Sequence, residues 1–292
     1  MKDLPGYLLL RAGAGLIGLL PASAARGLGR TAGRLWHLFA PGRREMARRH
    51  MRRVHGDSVD PADAARNVMQ SYGRYYAETL WVRESTVDEL RRHTVVEGLE
   101  RIIEARDQGT GMIYGLPHVG NWDVAAKVAV DEKVPVVAVA EKLANGKITD
   151  WFTELRAGFG IEIVLATGGT EVMRRLESAI KDNKAVALLS DRDLKGRGVG
   201  ADFFGERTTL PPGPATLALR TGAPLFPVAT YFEGSDGYRV VVRPAIPVPE
   251  EGTRSEKVAA MTQALAREME SLIRAAPEQW HLVQPNWPSD RA

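Results

Sequence analysis

A chain of 292 residues, 44% of them hydrophobic, is long enough for one large domain or two small ones around a sizeable core. It has no cysteine, which excludes a disulfide scaffold, thiol catalysis, thiolate zinc sites and cysteine-held iron–sulfur clusters. The 39 basic and 36 acidic residues leave a formal +3, unevenly divided: residues 1–60 hold 11 basic and 4 acidic side chains, a net +7, and residues 61–292 a net −4.

The basic end begins with an apolar stretch, Tyr7 to Leu20, stopped by Pro21. A helical bilayer span takes about 20 apolar residues, so this stretch is too short, and it carries Arg11. Lys2 and Ala22-Ser23-Ala24 fit a secretory signal, but Arg11, Gly13 and Gly15 interrupt its apolar core. Gly13-Ala-Gly15-Leu-Ile-Gly18 spells a dinucleotide fingerprint, yet the acidic residue required about 20 positions on is absent, and a basic helical pattern stands there instead. Between Arg26 and Arg53, nine arginines face only Glu45, with Leu28, Leu35, Trp36, Leu38 and Phe39 interleaved. Apolar side chains entering the acyl boundary while arginines meet anionic headgroups would make this a membrane-lying amphipathic region. A solvated charged helix is the plainer reading, and the neighbouring apolar segment tips the balance to the membrane. No nucleic-acid motif accompanies the arginines, so no nucleic-acid partner is expected.

Further on, Val68, Tyr72, Tyr75, Tyr76, Leu80 and Trp81 give residues 62–82 a helical stripe, read as core packing. A helix near 98–108 follows. Strands are predicted at 111–115, 134–140, 161–165, 185–190, 225–231 and 238–243, with helices at 121–131, 146–158, 170–182, 213–222 and 253–275. Short apolar strands alternating with helices predict an α/β fold: a mixed, mostly parallel central sheet flanked by helices, with a helical, membrane-facing N-terminal portion. The last strand pair, split by Glu233-Gly-Ser-Asp-Gly237, adds antiparallel character. The expected division is a helical portion over 1–95 and an α/β body over 96–292, or one continuous domain.

The segment richest in chemistry is Gly115-Leu-Pro-His118-Val-Gly-Asn121-Trp-Asp123. A strand ends, Pro117 stops its ladder and a helix starts near Asn121, which puts His118 in a turn at a strand end, where α/β sheets place their sites. A histidine beside a carboxylate takes the proton from a hydroxyl and makes it a nucleophile. The alternative is a helix start in which Asp123 sits favourably in the first turn. Five positions along a regular helix are about 140° apart, so His118 pairs with Asp123 only from the turn; otherwise another carboxylate must orient it. Asp191-Arg192-Asp193, just past the 185–190 strand, is the obvious supplier, with a solvated loop as its alternative.

His118-Val-Gly-Asn-Trp-Asp123 resembles the H-x4-D box of glycerolipid and lipid A acyltransferases, in the Asn-Trp form of the lipid A late-acyltransferase branch. Asp191-Arg-Asp193 with Asp202-Phe-Phe-Gly-Glu206, Leu210-Pro-Pro-Gly-Pro-Ala215 through Arg220-Thr-Gly-Ala-Pro224, and Trp280-His281 with Gln284-Pro-Asn-Trp287 also fit that branch and its actinobacterial phosphatidylinositol mannoside acyltransferases. The similarity spans about residues 5 to 288.

The resemblance implies a peripheral enzyme on the cytoplasmic face of the plasma membrane. It would move a fatty acyl chain, palmitoyl-like, from acyl-CoA to the mannose 6-hydroxyl of a phosphatidylinositol mannoside. His118 would be the base and Asp123 part of the box. Glu141 and Arg156 would fall on polar positions of the groove, and Asp191 or Asp193 on the carboxylate partnering the histidine; the family often has glutamate there, and this chain has none. A lipid A-type acyltransferase with lauroyl or myristoyl donors, or a non-catalytic membrane lipid-binding protein, are the alternatives.

Acyl transfer of this kind needs a base, a stabilised oxyanion and an apolar slot, with no metal and no cofactor beyond the acyl-CoA donor. Backbone N–H groups from Gly120 to Asp123 are available for the oxyanion, and Arg156, Arg192, Lys195 and Arg197 for CoA phosphates, Arg156 foremost. Asn121 and Arg192 complete the expected substrate-binding set. No G-x-S-x-G and no P-loop occurs; Gly196-Arg-Gly-Val-Gly-Ala201 fits a dinucleotide pattern but leads into Phe203-Phe204, not a helix. His37, His50, His55 and His93 read as surface residues, and His281 as packing.

Overall fold

The chain opens with four helices: α1 (Leu4–Ile17), α2 (Ala22–Phe39), α3 (Pro41–His55) and α4 (Pro61–Trp81). The computed structural model describes residues 4–56, 58–83, 87–166, 170–193 and 196–291. Local signals set the helix starts. Pro21 precedes α2, Pro41 opens α3, and the Asp60 carboxylate accepts from the Ala62 N–H at 2.8 Å to cap α4. Helices α2 and α4 cross closely because glycines line the seam: a Cβ on Gly33 would lie 2.2 Å from the Met69 carbonyl oxygen, and one on Gly73 2.2 Å from that of Gly29. Gly13, Gly15 and Ile17 are helical, so no dinucleotide turn forms in α1.

The remaining elements are α5 (Val87–Arg92), β1 (Thr94–Glu97), α6 (Leu99–Asp107), β2 (Met112–Leu116), α7 (Trp122–Asp131), β3 (Val136–Ala140), α8 (Gly146–Ala157), β4 (Ile161–Leu165), α9 (Thr170–Lys181), β5 (Ala185–Leu189), β6 (Val199–Phe203), β7 (Glu206–Leu210), α10 (Gly213–Thr221), β8 (Leu225–Glu233), β9 (Gly237–Val242) and α11 (Arg254–Ala275). Seven strands form one sheet in the order β1-β9-β8-β2-β5-β3-β4, parallel throughout except for the β8–β9 hairpin. This is the α/β sheet expected from the alternating pattern.

Alternate residues of each strand enter opposite core layers. Ile113, Val186 and Leu225 pack with α10 and α11 on one face; Met112, Tyr114, Ala185 and Phe226 pack with α7 on the other. The first layer also takes Ala47 and Met51 of α3 and Val68 of α4, so the N-terminal helices share a core with the sheet.

Two features lay outside the sequence reading. Strand β1 is four residues of half-exposed edge. The antiparallel β6–β7 pair turns at Phe204 (φ 50°) and Gly205 (φ 76°), the two left-handed positions of a tight hairpin, and its polar Asp202, Arg207 and Thr209 hide the apolar alternation.

Candidate active site

Register brings the central pair together. Strands β2 and β5 are parallel neighbours with Leu116 opposite Leu189, and His118 and Asp191 each lie two residues past those strand ends. The His118 Nδ1–H donates to Asp191 Oδ1 at 2.6 Å, and the His118 backbone N–H to Oδ2 at 3.0 Å. Asp191 is fully buried, and the Trp280 indole N–H gives its Oδ2 a further bond at 2.7 Å. Burial alone would raise this carboxyl's pKa, but the His118 charge and these hydrogen bonds outweigh it and hold it at about 2. Asp191 is therefore an anion at neutral pH, and an imidazole that donates from Nδ1 carries its lone pair on Nε2.

Asp123 does not pair with His118. It stands in the first turn of α7 and takes a fork from Arg156 of α8, Nε to Oδ1 at 2.9 Å and Nη2 to Oδ2 at 3.3 Å. Arg156 also donates to the Tyr75 hydroxyl at 3.4 Å. Burial opposes the Arg156 charge, but Asp123 more than restores it, raising the guanidinium pKa above its ordinary value.

Asp193 turns to the β6–β7 hairpin, accepting from the Gly198 N–H at 2.6 Å and the Thr209 hydroxyl at 2.9 Å. Arg192 reaches Glu141, just past β3, at 2.9 Å. Thus Asp191 meets the histidine, Arg192 and Glu141 form a separate pair, and Asp193 braces a loop. Arg197 is exposed, and Lys195 lies outside the described residues.

Asn121 precedes α7 without a side-chain cap bond, and its Nδ2 amide donates to Glu78 Oε2 at 2.9 Å. Glu78 is buried on α4 and also accepts from Arg26 (3.0 Å) and Arg74 (2.8 Å). Gly120 holds φ 58°, and a Cβ there would sit 1.9 Å from the Thr230 carbonyl oxygen, so only glycine fits this turn. Of the backbone groups expected to face an oxyanion, the Gly120 N–H is bonded to the Gln279 carbonyl at 3.0 Å. Trp122 and Asp123 stand in the first turn of α7, where a helix start leaves N–H groups without intrahelical acceptors.

The segment after α11 closes the site from one side. Val119 bridges Trp280, the His281 N–H donates to the His118 carbonyl at 2.7 Å, and Asn286 Nδ2 donates to the Asp191 carbonyl at 3.0 Å. His281 is buried, stacked on Tyr72 with ring centroids 4.7 Å apart and bonded to Ser71 Oγ at 2.9 Å, which agrees with packing. His50 corrects its surface assignment: it is fully buried, 5.6 Å from the Trp280 ring and 5.1 Å from that of Trp287. The basic helix α3 turns this face inward onto the C-terminal segment.

Sequence reasoning passed over Glu78, Trp280 and Asn286 as parts of the site. A lone acid in the apolar stripe of α4, and polar groups in the run after the last helix, were the available signals.

A histidine and carboxylate at the parallel ends of an α/β sheet, with an arginine-clamped aspartate one turn away, define an acyltransferase when set beside known proteins. The chain belongs to the bacterial lipid A biosynthesis acyltransferase family, which it matches over residues 3–289. It is similar to the phosphatidylinositol mannoside acyltransferase of Mycolicibacterium smegmatis, 36% identical over 282 residues, 96% of this chain and 90% of that one. The protein of the same name from Mycobacterium tuberculosis is 37% identical over 253 residues, 84% of this chain and 78% of that one. The lipid A biosynthesis acyltransferase of Haemophilus influenzae is 24% identical over 194 residues, covering 65% and 58%.

Proposed function

We propose that this acyltransferase moves a palmitoyl-like chain from acyl-CoA to the mannose 6-hydroxyl of a phosphatidylinositol mannoside, by direct transfer and with His118 as general base. The observation that carries the reading is the bond from His118 Nδ1 to the buried Asp191 anion, which makes Nε2 the basic nitrogen. In this mechanism Nε2 takes the proton of the acceptor hydroxyl as its oxygen attacks the thioester carbonyl. The tetrahedral oxyanion is stabilised by the first-turn N–H groups of α7. Its collapse forms the ester and breaks the C–S bond, and the thiolate leaves with the proton from the imidazolium. The relatives' names favour a mannoside acceptor over a lipid A-type one.

The reading places the enzyme as a peripheral protein on the cytoplasmic face of the plasma membrane. Among the described residues no helix is long and apolar enough to cross a membrane. Supporting interfacial docking, α1, the turn after it and α2 expose Leu9 (77%), Leu19 (82%) and Phe39 (81%) in the basic part of the chain.

The test is transfer of labelled palmitate from palmitoyl-CoA to phosphatidylinositol mannoside in vesicles, with lipid A precursors as the competing acceptors. His118→Ala is expected to lower the rate about 10²–10⁴-fold while lipid binding persists. Unchanged transfer by this variant would sink the base assignment, and preference for the lipid A precursor would move the reading to that acceptor. An acylated protein intermediate would rule out direct transfer.

A further inference from the structure

We infer that Trp280 is a positioning residue whose indole N–H shares the Asp191 carboxylate with His118 and so sets the pH range in which His118 accepts a proton. The inference deepens the role proposed for His118 and rests on it.

Among the described residues the carboxylate's two oxygens take three donors within 3.0 Å: His118 Nδ1 and the Trp280 indole at 2.6 and 2.7 Å on opposite oxygens, and the His118 backbone N–H on the indole's oxygen. Neither Asp191 nor Trp280 is exposed, so no solvent replaces a missing donor. The indole cannot swing away. Its ring is boxed by His50, Phe204 and the edge of Trp287, its backbone is bridged to Val119, and Asn286 holds the Asp191 backbone from the same segment.

A buried donor withdraws negative charge from the carboxylate it binds, leaving less to stabilise an imidazolium on the other side. With the indole N–H in place, His118 releases its proton more readily and remains a competent base at lower pH. Without it, Asp191 concentrates its charge on His118 and the imidazolium persists to higher pH.

The other groups that act on this pair pull separately. His281 senses both His118 and Asp191 from the C-terminal segment, and His50 senses Asp191 from α3. Arg192 is engaged by Glu141, and Arg156 by Asp123. None of them donates a hydrogen bond to the Asp191 carboxylate, whereas Trp280 does.

The experiment uses the full chain with the Trp280 indole replaced by its benzothiophene analogue, which keeps the two-ring shape and lacks only the N–H, and Trp280→Phe beside it. The His118 titration is followed by NMR of the ¹⁵N-labelled imidazole, and kcat and KM for acyl-CoA are measured against pH. Expected is an upward move of the titration midpoint and of the acidic limb of kcat by about half a pH unit or more. At neutral pH kcat should fall, with KM for acyl-CoA little changed. A residue that merely fills space would move neither midpoint nor limb when the analogue is installed, and an unmoved midpoint in the analogue overturns the inference. The NMR midpoint reads the Trp280–Asp191–His118 arrangement whatever the reaction is. Failure of His118 as base shows instead in the His118→Ala assay.

Discussion

Arg156 grips Asp123 with two bonds, Nε to Oδ1 at 2.9 Å and Nη2 to Oδ2 at 3.3 Å, so the aspartate of the H-x4-D box faces a cation rather than the histidine. The pair joins the first turn of α7 to the last turn of α8 and is largely shielded, the two side chains being 16% and 18% exposed. Removing one partner strands the other. Asp123→Ala is therefore expected to destabilise the protein by about 1–3 kcal/mol in urea unfolding. The double variant Asp123→Ala/Arg156→Met should be more stable than Asp123→Ala alone, because it removes the uncompensated charge. Simple additivity of the two substitutions would show that the pair carries no coupling.

Asp191 and Asp193 are two residues apart and do different work. Asp191→Asn removes the anion and presents His118 Nδ1 with an amide that can donate, which favours the tautomer with the proton on Nε2. The expected result is a loss of kcat of about 10³–10⁴, the size seen when a histidine base is held in the wrong tautomer. Asp193→Asn weakens the bonds to Gly198 and Thr209 and should lower the melting temperature with little change in kcat. Equal kcat losses for both would refute this division.

The site was legible in the sequence as far as strand ends are. His118 and Asp191 both follow apolar runs, and parallel pairing of those runs is enough to set the two side chains opposite each other. The choice between Asp191 and Asp193 was not legible, because it depends on a hairpin whose strands are too polar and short to announce themselves. The inward turn of the basic region was hidden for a related reason. Arg26, His50 and Arg53 look like a solvated face until Glu78, Gln284, Glu206 and Asp290 arrive from distant parts of the chain. Charge composition records how many arginines a segment has, and only packing shows which of them are already neutralised.

Two buried histidines make stability depend on pH well above the carboxylate range. Burial lowers the pKa of His281 from 6.5 to about 3, with the His118 charge adding to the effect and Asp191 opposing it. His50 is lowered as well, first by burial. Between those values the unfolded chain binds protons that the folded chain refuses, so stability is full above pH 6.5 and declines as pH falls towards 3. Each histidine contributes up to about 1.4 kcal/mol per pH unit in that window. Asp191, depressed to about 2, adds its own loss only below its unfolded value of 3.8. Urea unfolding at pH 7, 6 and 5 should show the decline, and His281→Gln should flatten it. A profile level from pH 7 to 5 would contradict the burial of these rings.

The exposed apolar side chains of α1, α2 and the turn between them give the last expectation. Trp36 packs 5.7 Å from Tyr72 and is partly buried, whereas Leu9, Leu19, Leu35, Leu38 and Phe39 stand open to solvent. Helix α1, at 14 residues, is about 21 Å long, shorter than a hydrocarbon core of about 30 Å, so these side chains fit shallow insertion rather than spanning. The end of α1 is also fixed to the body, with Arg83 donating to the Ala14 carbonyl and the Trp81 indole to that of Leu20, both at 2.9 Å. A rigidly held apolar surface loses little entropy on docking. Sedimentation with anionic vesicles should therefore retain the protein, and raising the salt should weaken binding without abolishing it, because only the arginine contribution is screened. Replacing Leu9, Leu19 and Phe39 together by Ser is expected to weaken vesicle binding at least tenfold, since each buried side chain is worth about 1.5–3 kcal/mol when fully withdrawn from water. Binding that survives the triple substitution would assign the docking surface elsewhere. Binding lost completely at high salt in the unsubstituted protein would make it purely electrostatic.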